Sequence, residues 1–417
     1  MKTIISAALV TASVLFGVSA ATAVTATPVW QTANSVATGE QRHPAIAANR
    51  NGYAAVVWED DRDTTNPNDN AHSEIYLRIW RNGTALYEVK LSSGGNSGVT
   101  NWRHLSPDVG LDDKGNAVVV WAEDPDGNGF YNIPYRVVNT AGTVTASGQA
   151  NSSAAGQQRN PQIAVDPDGA PNGGAVAFTV VWEDVQGTNP ATVKAAGYTS
   201  PTTRAYEVTA SQTTGQHHNP DVAVAASGEA VVVWDEDSDA NGYYQIGLTK
   251  LAKSNGAITL SRRTANANGG GQQRHPAVAA NFGGGFAVAW ESDHTGTLGV
   301  WTRSFTAGGN PLHSDVEVST AAAGTGPDLG IDDQGNTVVS WSHATNADVW
   351  VRGFGPDGSD TARLSGQPLM SVTTGTQEQM TATVSAFGEV SVAYRDDNDG
   401  NGFGQIYLGL GITNSGW

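Results

Sequence analysis

The stretch Pro220-Asp-Val-Ala-Val-Ala-Ala-Ser-Gly-Glu-Ala-Val-Val-Val-Trp234 decides how this chain folds. It begins with small and β-branched residues, turns at Ser227-Gly228, and ends in a β-branched run closed by a tryptophan. Residues that are β-branched or aromatic favour strands, and a Ser-Gly pair is typical of a turn. The stretch therefore predicts two strands joined by a tight turn.

The same unit recurs along the whole chain, which is the strongest pattern in the sequence. Its first anchor is usually a proline and its second an aromatic residue: Pro44 and Trp58, Pro107 and Trp121, Pro161 and Trp182, Pro220 and Trp234, Pro276 and Trp290, Pro327 and Trp341, and a degenerate Met380 and Tyr394. The anchors lie 14 residues apart in six copies, and the third copy has extra residues between Pro167 and Gly174. Two further strands follow each unit, as at 74–80 and 87–91, so each copy has the size of a four-stranded propeller blade.

The two ends of the chain complement each other. The last copy stops after its third strand, near Ile412, and the segment Trp30 to Pro44 aligns without a gap with Tyr206 to Pro220. Residues 29–36 should then form the outer strand of the last blade and remove an open sheet edge. We predict an all-β fold, a seven-bladed β-propeller of four-stranded antiparallel blades whose ring is closed by the N-terminal strand.

The N-terminus has the pattern of an export signal. Lys2 precedes an apolar run from Ile4 to Val18, and Ala21-Thr22-Ala23 offers a cleavage site. We expect a signal peptide at 1–23 and a single propeller domain at 24–417. The expected blades are 40–91, 103–147, 157–210, 216–262, 272–319, 324–372, and 377–412 together with 29–36. The mature protein should be a monomer that is secreted, extracellular or periplasmic, without a transmembrane segment.

Composition narrows the classes of partner. The chain holds 40 Asp and Glu residues against 22 Lys and Arg residues, so it lacks the basic footprint that nucleic acids require. Carboxylate oxygens are the ligands that calcium prefers. Cysteine is absent, so the fold cannot be stabilised by disulfides outside the cytoplasm.

Three loops that follow the aromatic anchors repeat the pattern D-x-D-x-N-G. The predicted calcium ligands are Asp124, Asp126, Asn128, Asp237, Asp239, Asn241, Asp397, Asp399 and Asn401. This spacing places three side-chain oxygens on one side of a tight loop, and the glycine permits the turn. No glutamate follows at the twelfth position of an EF-hand loop, although Glu123 and Glu236 precede two of the loops. We expect structural calcium, and ordinary Asx turns are the alternative.

Basic residues and histidines precede several blades. Arg42, Arg103, Arg159 and Arg274 occupy similar positions and would face one another across the ring. The predicted ligand-binding residues are Arg42, His43, Arg103, Arg159, Arg274 and Trp102. As an alternative, the His or Asn residue before each proline bonds the backbone of the neighbouring blade. The anchor tryptophans should pack between blades, whereas Trp80, Trp102, Trp301 and Trp350 fall outside the repeat and are candidates for an exposed sugar platform.

The sequence resembles one known group of proteins. The run Pro-x-Val-Ala, then Gly-x-x-Val-Val-Val-Trp-x-Asp, an Asp-rich loop and an Ile-Tyr strand is similar to a repeat of bacterial secreted seven-bladed β-propellers. The resemblance covers essentially the whole mature chain. It implies architecture more than activity, since such propellers serve as lectins, adhesins and polysaccharide lyases.

Three functions stay open on these grounds. The first is a secreted lectin-like propeller that binds an extracellular polysaccharide, another glycan or a surface, with calcium-stabilised loops. The second is a polysaccharide lyase that acts on a uronate-containing polysaccharide by β-elimination, with candidate residues His217, His218, His275, Tyr243, Tyr244 and Arg274. The third is an adhesin or scaffold that binds protein.

Overall fold

The structure is a computed structural model that describes residues 29–63, 72–94, 102–168, 176–320, 323–343, 348–368, 377–397 and 403–411. Every regular element in these ranges is a strand. The described residues contain no helix long and apolar enough to cross a membrane. The predicted signal peptide lies outside them.

The strands form seven antiparallel four-stranded sheets, which confirms the predicted propeller. Blades one to three hold β2 to β13: β2 Gln41–Ala48, β3 Tyr53–Asp60, β4 Glu74–Arg81, β5 Thr84–Lys90; β6 Arg103–Leu111, β7 Ala117–Asp124, β8 Pro134–Val138, β9 Val144–Gln149; β10 Gln157–Val165, β11 Phe178–Val185, β12 Thr192–Ser200, β13 Thr203–Thr209. Blades four to six hold β14 Gln216–Val224, β15 Ala230–Asp237, β16 Gln245–Leu251, β17 Ile258–Thr264; β18 Gln273–Ala280, β19 Phe286–Ser292, β20 Gly299–Phe305, β21 Val316–Glu317; β22 Gly324–Ile331, β23 Thr337–His343, β24 Val349–Phe354, β25 Asp360–Pro368. Blade seven combines β26 Gln377–Val384, β27 Val390–Asp396 and β28 Gln405–Leu410 with β1 Val29–Thr32.

The ring closes where the sequence predicts. Strand β1 pairs antiparallel with β28, with Trp30 opposite Gly409, and so supplies the fourth strand of the last sheet. The amide of Ala33 continues the pairing by donating to the carbonyl of Ile406 at 2.6 Å. Inner strands of neighbouring blades contact each other around the ring, including β26 with β2. The N-terminal strand therefore leaves blade seven without an open outer edge on β28.

The hydrophobic core lies between blades. The anchor tryptophans Trp58, Trp121, Trp182, Trp234, Trp290 and Trp341 are at most 2% exposed, which confirms their packing role. Each core cluster joins two adjacent blades; for example, Ile75 and Leu77 of blade one pack with Val119 and Trp121 of blade two. Because no blade encloses its own core, each depends on its neighbours for stability.

A bulge interrupts every inner strand just before its anchor. The pairing with the second strand skips two residues at this point, as between Arg42 and Ala45. The residue in front of each anchor adopts φ between 47° and 59°: His43, Ser106, Asn160, Asn219, His275, Gly326 and Gln379. This left-handed backbone is costly for residues other than glycine, so its recurrence in all seven blades indicates a position that the packing enforces.

Candidate functional site

The inner strands enclose a central channel of about 650 Å³, and the seven bulge residues all contribute to its lining. The loop that follows each second strand opens on the same face. In blade four, for example, Gln216 at the start of β14 pairs with Asp237 at the end of β15. We call this face, with the bulge residues and the second-to-third-strand loops, the mouth face.

Carboxylates behind the bulges link one blade to the next. Glu59 lies 2.9 Å from His43 Nδ1 and 3.0 Å from Arg42 Nε, and it accepts the amide hydrogen of Ser106 in the next blade at 2.8 Å. Burial would raise the pKa of Glu59, but the hydrogen bond and charge of His43, the Ser106 amide and Arg42 together lower it. Glu59 is therefore ionised at neutral pH and acts as a joint between blades.

The same joint recurs in other blades. Glu183 accepts hydrogen bonds from the Asn160 side chain and the Asn219 amide, both at 2.8 Å. Glu291 lies 2.9 Å from His275 Nδ1 and accepts the Gly326 amide hydrogen at 2.7 Å. The His and Asn side chains thus reach the neighbouring backbone through a carboxylate of their own blade.

Asp235 forms a variant of this joint. It accepts the Asn219 side chain at 2.7 Å and the His275 amide at 2.8 Å. Burial raises its pKa to about 7, against the lowering effects of the Asn219 hydrogen bond and the charge of His275. Asp235 can therefore take up a proton near neutral pH.

The predicted arginines do not line the channel among the described residues. Arg42 and Arg159 pair instead with Glu59 and Glu183, the latter at 3.2 Å. Arg103 is not equivalent to the others, because it stands two residues earlier in its blade, opposite Asp124. Glu59 and Glu183 therefore neutralise part of the positive charge of Arg42 and Arg159.

The off-repeat tryptophans are mostly enclosed. Trp80 is fully buried, so its prediction as an exposed platform is wrong. Trp301 and Trp350 are partly buried against their cores. Trp102 is half-buried, and its ring centroid lies 5.2 Å from that of His72 and 5.2 Å from that of His104.

Three of the lyase candidates meet at the junction of blades four and five. The Arg274 guanidinium lies 4.7 Å from the Tyr244 ring centroid, and the His218 ring centroid lies 6.1 Å from it. The His275 amide donates to Asp235, which stands opposite His218, whereas the His275 ring bonds Glu291. His217 is buried against Trp234, with Nε2 3.0 Å from the Thr214 carbonyl. Tyr243 is 56% exposed and stands apart on the loop.

The Asp loops of blades two and four have matching internal hydrogen bonds. Asp124 accepts the amide hydrogens of Asn128 at 3.1 Å and Gly129 at 2.9 Å. Asp237 accepts those of Asn241 and Gly242, both at 3.0 Å. In the third loop Asp397 is described, whereas the predicted ligands Asp399 and Asn401 lie outside the described residues. No group of three acidic or histidine side chains suited to a metal occurs among the described residues, and the calcium site stays a prediction.

Each described Asp loop presents an aromatic ring; the sequence reasoning missed Phe130 and named Tyr243 only as a lyase candidate. Phe130 directly follows the glycine of the blade-two loop and is 49% exposed, and Tyr243 at the same position in blade four is 56% exposed. Phe403 follows the third loop in sequence. The signal was present as D-x-D-x-N-G followed by Phe or Tyr.

Three carboxylates inside the channel were missed as well. Asp108, Asp221 and Asp328 occupy the same position in alternate blades, directly after the proline anchor. Each clamps the next blade: Asp108 accepts the Ile163 amide and Asp221 the Val278 amide, both at 2.7 Å. These side chains therefore fasten pairs of inner strands across the blade junction.

The far end of the channel is bridged by Arg50. Its Nε lies 3.3 Å from Asp113, and its guanidinium lies 4.1 Å from the Phe282 ring centroid in blade five. Asp333 of blade six is 3.9 Å away. These contacts place the Arg50 side chain across the end of the channel opposite the mouth face.

Comparisons with known proteins identify a fold and no family. No family model matches the sequence, and no curated protein matches it. Among solved structures, the GH93 alpha-L-arabinofuranosidase of Fusarium graminearum in complex with arabinobiose is similar, with 11% identity, a TM-score of 0.50, and coverage of 74% of this chain and 94% of that chain. The same enzyme with an iminosugar inhibitor gives 12% identity, a TM-score of 0.51 and the same coverage.

A sialidase structure, NanB from Streptococcus pneumoniae, matches with 10% identity and a TM-score of 0.48 over 92% of this chain and 70% of that chain. At such identities the likeness to the arabinofuranosidase concerns the fold alone. The fold of this chain resembles that of the arabinofuranosidase, and the propeller resemblance found in the sequence is confirmed at the level of the fold.

Proposed function

We propose that this protein is an exported carbohydrate-binding propeller that holds glycans on its mouth face. The observation that carries the proposal is the pair of exposed rings, Phe130 and Tyr243, at equivalent positions of two blades on one face. Exposed aromatic rings with polar neighbours suit the apolar face and hydroxyl groups of a sugar. Each ring follows a turn rich in carboxylate and amide groups.

Repetition also favours binding over catalysis. Glu59, Glu183 and Glu291 are each engaged by a bulge side chain and by the backbone of the next blade. Such carboxylates hold blades together and have little freedom to act as acids or bases. Sites that recur around a ring instead suit a repeating polymer, because several weak contacts combine into useful avidity.

The test is binding of the mature protein to immobilised polysaccharides, compared with Phe130→Ala, Tyr243→Ala and the double variant. Each single variant should weaken binding by about two- to twelvefold, since a stacked ring contributes roughly 0.5–1.5 kcal/mol. The double variant should lose nearly all retention. Leu312→Ala, which removes another exposed apolar side chain, is the control. Unchanged binding in the double variant would exclude these rings as the site.

A polysaccharide lyase is the second candidate, because His218, Tyr244 and Arg274 come together at one blade junction. In β-elimination, either Tyr244 or His218 would remove the C5 proton beside the uronate carboxylate, and the C4–C5 double bond would form as the C4–O bond breaks. The other of the two would protonate the leaving oxygen, and Arg274 would neutralise the uronate carboxylate. Burial raises the pKa of Tyr244, so a role as the base would need a nearby positive charge that favours the ionised phenol. The Arg274 guanidinium, 4.7 Å from the Tyr244 ring centroid, would supply that charge.

An absorbance assay for unsaturated uronates separates the two functions. As a lyase, the protein should release them from a polyuronate, and Tyr244→Phe should remove that activity almost wholly. As a binder, it should retain polysaccharide without releasing such products. Activity that survives Tyr244→Phe and His218→Ala unchanged would exclude this cluster as catalytic.

A further inference from the structure

A groove of about 720 Å³ opens at the edge of blade four, next to its Asp loop. Its lining comes from the end of β15, the loop, the start of β16, the end of β17 and the connection to blade five: Glu236, Ser238, Asp239, Asn241, Tyr243, Gln245, Thr264, Gly269 and Gly271. The exposed Tyr243 ring is part of this wall. The groove has the size of a sugar-binding pocket and supplies both an aromatic surface and hydrogen-bonding groups.

The charges on this wall have one sign. Glu236 accepts the Trp234 indole hydrogen at 3.0 Å and the Ser238 hydroxyl hydrogen, which fixes its position. Asp239 accepts hydrogen bonds from the Asn241 amide at 3.3 Å and from the Asn241 side chain at 2.8 Å. The nine lining residues include these two carboxylates and no Lys, Arg or His. These carboxylates would therefore repel an anionic ligand, and the lining supplies no cation to neutralise its charge.

Blade two offers a matched comparison. Its loop repeats the acidic and amide residues, and Glu123 accepts the Trp121 indole hydrogen at 3.1 Å as Glu236 does for Trp234. However, Glu123 also lies 3.4 Å from His104 Nε2. Burial would raise the pKa of Glu123, but the hydrogen bond and charge of His104 lower it. In blade four the corresponding His217 bonds the Thr214 carbonyl instead.

We propose that the blade-four groove is a sugar subsite that disfavours acidic sugars and prefers a sugar bearing a protonated amino group. The Tyr243 ring would stack on the apolar face of the sugar, and Asn241 and Gln245 would bond its hydroxyls. Asp239 and Glu236 would accept hydrogen bonds from the ammonium group, which are stronger than those from a neutral hydroxyl. This inference rests on the proposed carbohydrate binding and specifies the charge of the ligand.

Calorimetric titration with three tetrasaccharides of different charge tests it: glucosamine, N-acetylglucosamine and galacturonic acid oligomers. The titrations use the mature protein at pH 6, low salt and with a chelator, so that no metal occupies the carboxylates. We expect the glucosamine oligomer to bind most tightly, the N-acetylglucosamine oligomer less tightly and the galacturonic acid oligomer least tightly. Asp239→Asn should reduce the preference for the amino sugar over its acetylated form about two- to fivefold, the range of an exposed charge pair.

Asp357→Asn is the control, because it makes the same change in an exposed turn of blade six, outside both Asp loops, and should leave the preference unaltered. Thermal melts of both variants verify that each is folded. Tightest binding of the galacturonate oligomer, or an equal effect of the two variants, would overturn the inference while leaving carbohydrate binding intact. If the wild-type protein binds none of the three oligomers and no polysaccharide, the proposed function fails, and this inference fails with it.

Discussion

Raising the pH from 5 to 8 should destabilise this protein, because carboxylates in the channel must then ionise. Burial is the main cause that raises the pKa of Asp108 to about 7 and that of Asp328 to about 6, and the charge of Asp328 adds to the effect on Asp108. Burial also raises the pKa of Asp221 well above its usual value, and the charges of Asp108 and Asp328 add to it.

The sign and size follow from proton linkage. An unfolded Asp has a pKa of about 3.9, so from about pH 4 to pH 7 the native state binds protons that the unfolded state does not, and the free energy of unfolding falls as the pH rises. For Asp108 and Asp328 this amounts to about 4 kcal/mol between pH 5 and pH 8. Both side chains are partly exposed to the channel, so solvent screens their charges, and we expect about half of this value, or 2 kcal/mol. That lowers the melting temperature by about 2–3 °C in a domain of this size.

The assay is differential scanning calorimetry of the wild type and an Asp108→Asn, Asp221→Asn, Asp328→Asn triple variant at pH 5, 6, 7 and 8. Each carboxylate also accepts backbone hydrogens from the next blade, so the slope with pH is compared and not the absolute stability. The triple variant should lose about 2–3 °C of the decline seen in the wild type. Asp357→Asn, in an exposed turn, is the control and should keep that decline. A triple variant with the full wild-type slope would refute the argument.

Two further predictions concern ring closure and calcium. Deleting residues 24–36 removes β1 and exposes the edge of β28, so the melting temperature should fall by well over 5 °C and the protein should aggregate; an unchanged melt would contradict the role of β1 in closing the ring. Calcium should raise the melting temperature of the wild type, because a ligand bound only by the native state stabilises it, and combined Asp126→Ala and Asp239→Ala substitutions should reduce the gain. If the wild-type melting temperature is the same with a chelator as with calcium, the loops are only turns.

The architecture was predictable because the same pattern of strand-forming and turn-forming residues recurs seven times along the chain. The strands predicted at 74–80 and 87–91 correspond to β4 Glu74–Arg81 and β5 Thr84–Lys90. One blade could be misjudged, but a β-branched run that returns at a fixed distance from a proline cannot be aligned in many ways. The bulge was not predictable in this manner, because His, Ser, Asn, Gln and Gly share no side-chain signal for positive φ.

The partners of the arginines follow from the register between the first two strands of each blade, and the repeat in the sequence determines that register. Arg42 stands opposite Glu59, Arg159 opposite Glu183, and Arg274 opposite Glu291. Directly opposed residues on antiparallel strands interact, so the position two before the proline and the position after the tryptophan form a pair. Considered as single positions, the arginines suggest an anion site. Considered with their partners, Arg42 and Arg159 form inter-strand ion pairs, whereas the Arg274 guanidinium lies against the Tyr244 ring.

Trp80 shows why a residue outside a repeat need not be exposed. It lies on β4 and packs with Trp58 and Tyr76 of its own blade and with Ile406 and Leu408 of blade seven. The equivalent positions on the third strands of blades three, five and six hold Tyr198, Phe305 and Phe354, each opposite the residue four before the anchor tryptophan, as Trp80 is. All three are buried, so a large side chain at this position packs into a blade junction. Trp80 therefore differs from the other blades in residue type and not in structural role, and burial in the folded ring distinguishes such a residue from a binding site.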